Sequence, residues 1–203
     1  MKKPLLIVIA GPNGSGKTSI TQKILLHEWI EECVYINPDN IAKDTFGDWN
    51  SQEAVLKAAK LATQMREDCV AHGQSLIFET VLSSNEKVDF IRKAKSMGYF
   101  IRLFFVGTDS PAINASRIVQ RVMEGGHDVP ISKIISRYSK SIANCCVVST
   151  IVDRAYLYDN SIELQDPKLL FRVIDGDFVK EYGKINDWAE PIFQHIQAHN
   201  RIE

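Results

Sequence analysis

The sequence predicts an α/β protein, a mostly parallel sheet held between helices on both faces as a three-layer α/β/α sandwich. The first observation behind this is an apolar run, Leu5-Leu6-Ile7-Val8-Ile9-Ala10, that feeds directly into the glycine-rich Gly11-Pro12-Asn13-Gly14-Ser15-Gly16-Lys17-Thr18. The second is alternation: short apolar runs closed by turn or acidic residues take turns with amphipathic stretches of helical period. Strands separated by helices imply right-handed crossovers and a parallel sheet. The third is a Gly-Gly segment between two arginine-bearing helical stretches, which predicts a helical lid over roughly residues 110–140.

Gly11 to Thr18 satisfy G-x-x-x-x-G-K-[ST], the P-loop signature. Glycines let the backbone take positive φ and approach an anion closely. The helix expected from Lys17 to about Glu31 adds the unpaired N–H groups and dipole of its first turn. All eight residues, Gly11, Pro12, Asn13, Gly14, Ser15, Gly16, Lys17 and Thr18, are therefore candidate nucleotide-binding residues. Lys17 is expected to reach the β- and γ-phosphates, and the Thr18 hydroxyl to hold Mg²⁺. ATP or GTP is the expected guest.

At 203 residues a single domain spanning 1–203 is expected, and 45% hydrophobic residues supply an ample core. A formal net charge of −1 offers no basic field for nucleic acid or for an acidic membrane, so a small-molecule partner is expected. Cys33, Cys69, Cys145 and Cys146 form no metal-binding spacing and no plausible disulfide framework, which points to a reducing cytoplasm. The run from Leu5 to Ala10 is too short for a signal peptide, and no stretch approaches the roughly 18 apolar residues of a membrane span.

Val34-Tyr35-Ile36 reads as a short strand closed by Asn37-Pro38-Asp39-Asn40, because Pro38 disfavours helix at Asn37. Asp39 then falls just past a strand's carboxyl end, where open α/β sheets bind ligands. It is either a turn and N-cap residue or a catalytic base and substrate contact that takes a proton from an acceptor hydroxyl. Ser51 to His72 carries an apolar face and predicts a long helix closed by Gly73. Ser75-Leu76-Ile77-Phe78 is the next strand, ending in Glu79-Thr80. Glu79 can hold the metal through water or bond a substrate hydroxyl, with Thr80 beside it as a second substrate contact.

Ser84 to Gly98 predicts a helix, and Phe100 to Val106 a strand followed by the loop Gly107-Thr108-Asp109. Ser110-Pro111 opens a helix to about Glu124 on which Arg117 and Arg121, four apart, share a face. Their shared charge calls for an anion, which is either Glu124 or Asp109 in a structural role or a transferring phosphate beneath a lid. Gly125-Gly126-His127-Asp128-Val129-Pro130 reads as a hinge, with His127 a hinge or substrate residue, and the helix from Ile131 to Tyr138 brings Arg137 to the same region. Ala155 to Ser161 reads as a strand, Phe171–Glu181 as a hairpin around Asp175-Gly176-Asp177, and the stretch from Asp187 as a core-packing helix.

Several of these stretches together resemble the zeta-toxin-like branch of the P-loop kinases. The matching pieces are Gly11 to Thr18, Asn37-Pro38-Asp39, Phe78-Glu79-Thr80, and Arg117 to Arg137 with its Gly-Gly-His-x-Val-Pro centre. The resemblance implies a kinase that uses ATP or GTP with Mg²⁺. It makes Asp39 the base, Glu79 and Thr80 the substrate-side contacts, and the lid arginines the cover of the phosphates. It implies a small-metabolite acceptor, with a UDP-sugar such as UDP-N-acetylglucosamine the family's best-known one, and an antitoxin protein as a partner. Two readings from other classes stand beside it: an NTPase switch with Glu79 as its strand-end acid, and a nucleotide-binding protein that acts through a partner without catalysis.

Overall fold

Fully buried runs alternating their side chains between two faces fix the sheet. The computed structural model describes residues 3–30, 32–47, 51–125 and 128–199. Seven strands, β1 (Leu5–Ala10), β2 (Val34–Ile36), β3 (Leu76–Thr80), β4 (Phe100–Gly107), β5 (Arg154–Asp159), β6 (Lys168–Ile174) and β7 (Asp177–Glu181), form one sheet in the order β2-β3-β1-β4-β5-β6-β7. The first five pair in parallel, and β6 and β7 close one edge as an antiparallel hairpin. The expected α/β/α sandwich is observed.

The helices are α1 (Lys17–Leu25), α2 (Pro38–Phe46), α3 (Gln52–Ala71), α4 (Asn85–Ser96), α5 (Pro111–Met123), α6 (Ile131–Ser149) and α7 (Glu190–His199). On one face Ile7, Ile9, Ile77, Phe104 and Val106 pack against Ile20 and Ile24 of α1. On the other, Leu6, Val8, Phe78, Leu103 and Phe105 meet the apolar sides of α3, α4, α6 and α7. The parallel strands are covered on both sides, which is why they read as continuous apolar runs rather than alternating ones. Helices α5 and α6 form a hairpin with a small core of their own, Ile118, Val129 and Ile134.

Three boundaries differ from the sequence reading. Helix α1 stops at Leu25, with a separate 3₁₀ turn at Glu28–Ile30, so it ends short of Glu31. Helix α6 continues past Tyr138 to Ser149 because Ser141 and Cys145 carry its buried stripe onward to Val148. Pro38-Asp39-Asn40, read as the turn that closes β2, instead open a helix that runs to Phe46: the Asn37 side chain accepts from the N–H groups of Asp39 and Asn40, Pro38 fits the first turn, and Gly47 closes it in the left-handed conformation. Among the described residues no helix is long and apolar enough to cross a membrane.

Candidate active site

The carboxyl ends of β1, β2 and β3 open into a cleft of about 910 Å³. Its floor is the P-loop between β1 and α1. The Lys17 ammonium donates to the carbonyl oxygens of Gly11 at 2.9 Å and Pro12 at 3.0 Å, so the loop curls around its own lysine. Burial lowers the Lys17 pKa to about 8, opposed by the negative charges of Glu79 and Asp39 and assisted by Arg121. Because a triphosphate would favour the charged form, the ATP expected from the P-loop signature should take up a proton on binding near pH 8, with affinity falling as pH rises above that value. Calorimetry should show ATP bound up to about tenfold more weakly at pH 9 than at pH 7, with no such fall in Lys17→Arg, whose guanidinium stays charged. Equal affinity at the two pH values in the unmodified chain contradicts this.

Helix α2 and strand β3 form the wall. Asp39 lies in the first turn of α2 rather than in a loop, exposed and lining the cleft. Its backbone N–H bonds Asn37 Oδ1 at 2.8 Å, so the helix is capped without the Asp39 carboxylate, which is left facing solvent. Glu79 projects into the same cleft from β3. One of its oxygens accepts from the Tyr35 hydroxyl at 2.5 Å and from Asn37 Nδ2 at 3.1 Å. Parallel pairing of Tyr35 with Ile77 and of Ile36 with Phe78 brings Asn37 level with Glu79. Burial and the hydrogen bond to Glu79 raise the Tyr35 pKa, so the phenol stays a donor and holds the carboxylate still. Thr80 is buried and uses its hydroxyl oxygen to accept from Leu82 N–H at 3.0 Å, shaping the turn after β3.

The α5–α6 hairpin forms the roof. Arg117, Arg121 and Arg137 all line the cleft. The Arg117 Nη1 is buried without an acceptor among the described residues. Asp109 accepts from Asn186 and Glu124 from Gln120, so each acid has a partner outside the arginine pair. Arg137 donates to Asn13 Oδ1 at 3.3 Å, which puts it at the lip of the P-loop rather than deep on the acceptor side. His127 lies outside the described residues.

Sequence reasoning missed the far end of the cleft, built from α3 and the start of α4. Lys60, Thr63, Arg66, Ser83, Ser84 and Lys87 line it. The Arg66 guanidinium is buried against the rings of Phe78 and Phe90, which themselves meet edge-to-face, and bonds Thr63 Oγ1 and Glu86. Glu86 also pairs with Lys87, whose pKa is lowered by burial. The one available signal was the helical spacing that puts Lys60, Thr63 and Arg66 on one side of the α3 stretch. Around the whole cleft seven cationic side chains face three carboxylates, a positive concavity in a chain of net charge −1. Such a surface attracts anions. Among the described residues no group of three His, Cys, Asp or Glu stands ready to hold a metal.

The sequence profile of the zeta toxin family matches residues 1–164. An uncharacterized protein of Haemophilus influenzae is 28% identical over 134 residues, 65% of this chain and 91% of that protein. Among solved structures, one from the PezAT chromosomal toxin-antitoxin system of Streptococcus pneumoniae superimposes with a TM-score of 0.63 at 16% identity, covering 100% of this chain and 88% of the other. The AvrRxo1-ORF1:-ORF2 complex with ATP gives a TM-score of 0.69 at 19% identity over 96% of this chain and 64% of the other. At these identities the structural likeness speaks for the fold alone.

Proposed function

Because this chain belongs to the zeta toxin family of P-loop kinases, we propose that it transfers the γ-phosphoryl group of ATP to a hydroxyl of a small metabolite. The observation that carries this is one shared cleft. The phosphate loop, the exposed carboxylate of Asp39 and the roof arginines all line it, and the charges of Asp39, Glu79 and Arg121 all act on Lys17.

In this reading Gly11 to Thr18 hold the triphosphate. Lys17 leaves its two carbonyl partners for the phosphates, and Arg117 and Arg121 offset charge on the moving group. Asp39 accepts the acceptor's proton as the acceptor oxygen bonds to the γ-phosphorus and the bond from that phosphorus to the bridging oxygen breaks, releasing ADP. Glu79, fixed by Tyr35 and Asn37, and Thr80 border the acceptor, and Arg137 meets the nucleotide from the lip of the P-loop. Since this transition state spreads charge over phosphate oxygens, positioning and cations supply most of the acceleration.

Mg²⁺ fits the residues present: the exposed Thr18 hydroxyl and the second oxygen of Glu79 are hard donors, and Mg²⁺ takes few protein ligands when phosphates and water complete its shell. Held there, the ion would supply positive charge that offsets the charge of the phosphates.

ATP as donor is supported by the nucleotide in the AvrRxo1 complex of the same fold. The polar, cationic far end, with Lys60, Ser83, Ser84 and Lys87, suits a hydroxyl-rich acceptor that carries negative charge, and so a UDP-sugar. A protein antitoxin is a proposed partner, on the likeness to a chain from a toxin-antitoxin system. The test is transfer of label from γ-labelled ATP to a metabolite panel that includes UDP-sugars. A labelled phosphomonoester is the expected product, and ATP binding without transfer to any alcohol overturns the reading.

A further inference from the structure

Two asparagine side chains reach the P-loop from outside it. Asn114, fully buried on α5, donates from Nδ2 to the carbonyl oxygen of Asn13 at 2.6 Å. Asn160, just past β5, donates from Nδ2 to the carbonyl oxygen of Ser15 at 2.9 Å. These peptide bonds are trans, so each carbonyl points opposite to the N–H that follows it. Pinning the carbonyls of Asn13 and Ser15 outward therefore turns the N–H groups of Gly14 and Gly16 the other way. Both glycines line the cleft, and among the described residues neither N–H donates to a protein acceptor.

The glycines themselves record the same arrangement. A Cβ on Gly14 would stand 2.5 Å from the Asn114 carbonyl oxygen, and one on Gly16 would stand 2.1 Å from Asn160 Nδ2. Their φ values of +76° and +88° already favour glycine. Each asparagine is oriented in turn. The Thr108 hydroxyl donates to Asn114 Oδ1, leaving Nδ2 as the end that faces Asn13, and Tyr138 braces Thr108 by donating to its carbonyl at 2.5 Å. The Asn160 N–H donates to the Gly107 carbonyl at 2.9 Å. Both pins are thus rooted at the carboxyl end of β4.

We infer that Asn114 and Asn160 are positioning residues that preset the Gly14 and Gly16 amides toward a bound polyphosphate. The inference rests on the phosphate-cradle reading of Gly11 to Thr18 and not on the identity of the acceptor. With the amides already aimed, binding does not have to reorganise the loop.

Asn160→Leu and Asn114→Leu remove the donor at similar volume without adding charge. Calorimetric titration with ATP and, separately, with inorganic tripolyphosphate should show both ligands weakened by the same factor, roughly tenfold for each variant. The melting midpoint of nucleotide-free Asn160→Leu, whose site is half-buried, should stay within about 3 °C of the parent's. Should Asn114→Leu fail to fold, its site being fully buried, the half-buried Asn160→Leu carries the same test. Unchanged ATP affinity in a folded variant overturns the inference, as does weakened ATP binding with unchanged tripolyphosphate binding. Failure of the parent chain to bind either ligand overturns this inference together with the nucleotide reading. Binding by the parent with no acceptor phosphorylated, and with the variants weakened as stated, supports the inference and sinks the kinase reading alone.

Discussion

Asp39→Asn should slow phosphoryl transfer by roughly 10²- to 10⁴-fold, the range a positioned general base contributes, while ATP binds with affinity equal to or slightly better than the parent's. The separation of the two effects follows from geometry. The carboxylate takes no part in capping α2, where the Asn37 side chain satisfies the Asp39 and Asn40 N–H groups, so the isosteric amide leaves the helix intact. Its negative charge acts on Lys17 across the cleft and so also opposes the incoming triphosphate, which is why removal does not weaken binding. Single-turnover transfer measured beside equilibrium ATP binding checks both halves. Transfer at the parent's rate removes Asp39 from the chemistry.

Lys17→Ala should act on binding and rate together. Truncating one member of a buried, hydrogen-bonded charge pair costs about 2–5 kcal/mol, roughly 30- to several-thousand-fold in affinity. The substitution also deletes the two bonds that curl the loop onto the carbonyls of Gly11 and Pro12. The loop keeps its outer supports from Asn114, Asn160 and Arg137, so the fold should persist with a melting midpoint near that of the parent. Loss of nucleotide binding with a retained melting transition is the expected pair of results. ATP bound as tightly as by the parent refutes the role given to Lys17.

The sheet was legible because its strands are short apolar runs with turn chemistry at their ends, and the P-loop because Gly11, Gly16, Lys17 and Thr18 stand at the four specified positions of its pattern. Helix α2 was not legible: Pro38–Phe46 offers only Ile41, Ala42 and Phe46 as apolar residues, and it is held by an N-cap, a left-handed Gly47 and packing, none of which has a helical period. Helix α6 was read short because buried Ser141 and Cys145 continue its inner face without looking apolar enough to extend the pattern.

In the site, the acids Asp39 and Glu79 could be found from their places at strand ends. Their supports could not. Tyr35 meets Glu79 only through the register of two parallel strands, across 44 residues of sequence. The P-loop braces come from 101 and 145 residues away, and Arg66 reaches the cleft from a helix whose length, not its chemistry, was the visible feature.

The central claim is that the Asp39 carboxylate faces the end of a triphosphate held by Gly11 to Thr18 across a gap one alcohol wide. A crystal structure with Mg²⁺ and a non-hydrolysable ATP analogue measures it as the distance from that carboxylate to the γ-phosphorus. The account predicts roughly 5–7 Å, room for one hydroxyl oxygen within hydrogen-bond reach of the acid and near-attack distance of the phosphorus. A separation beyond about 10 Å, too far for any single oxygen to bridge, contradicts it.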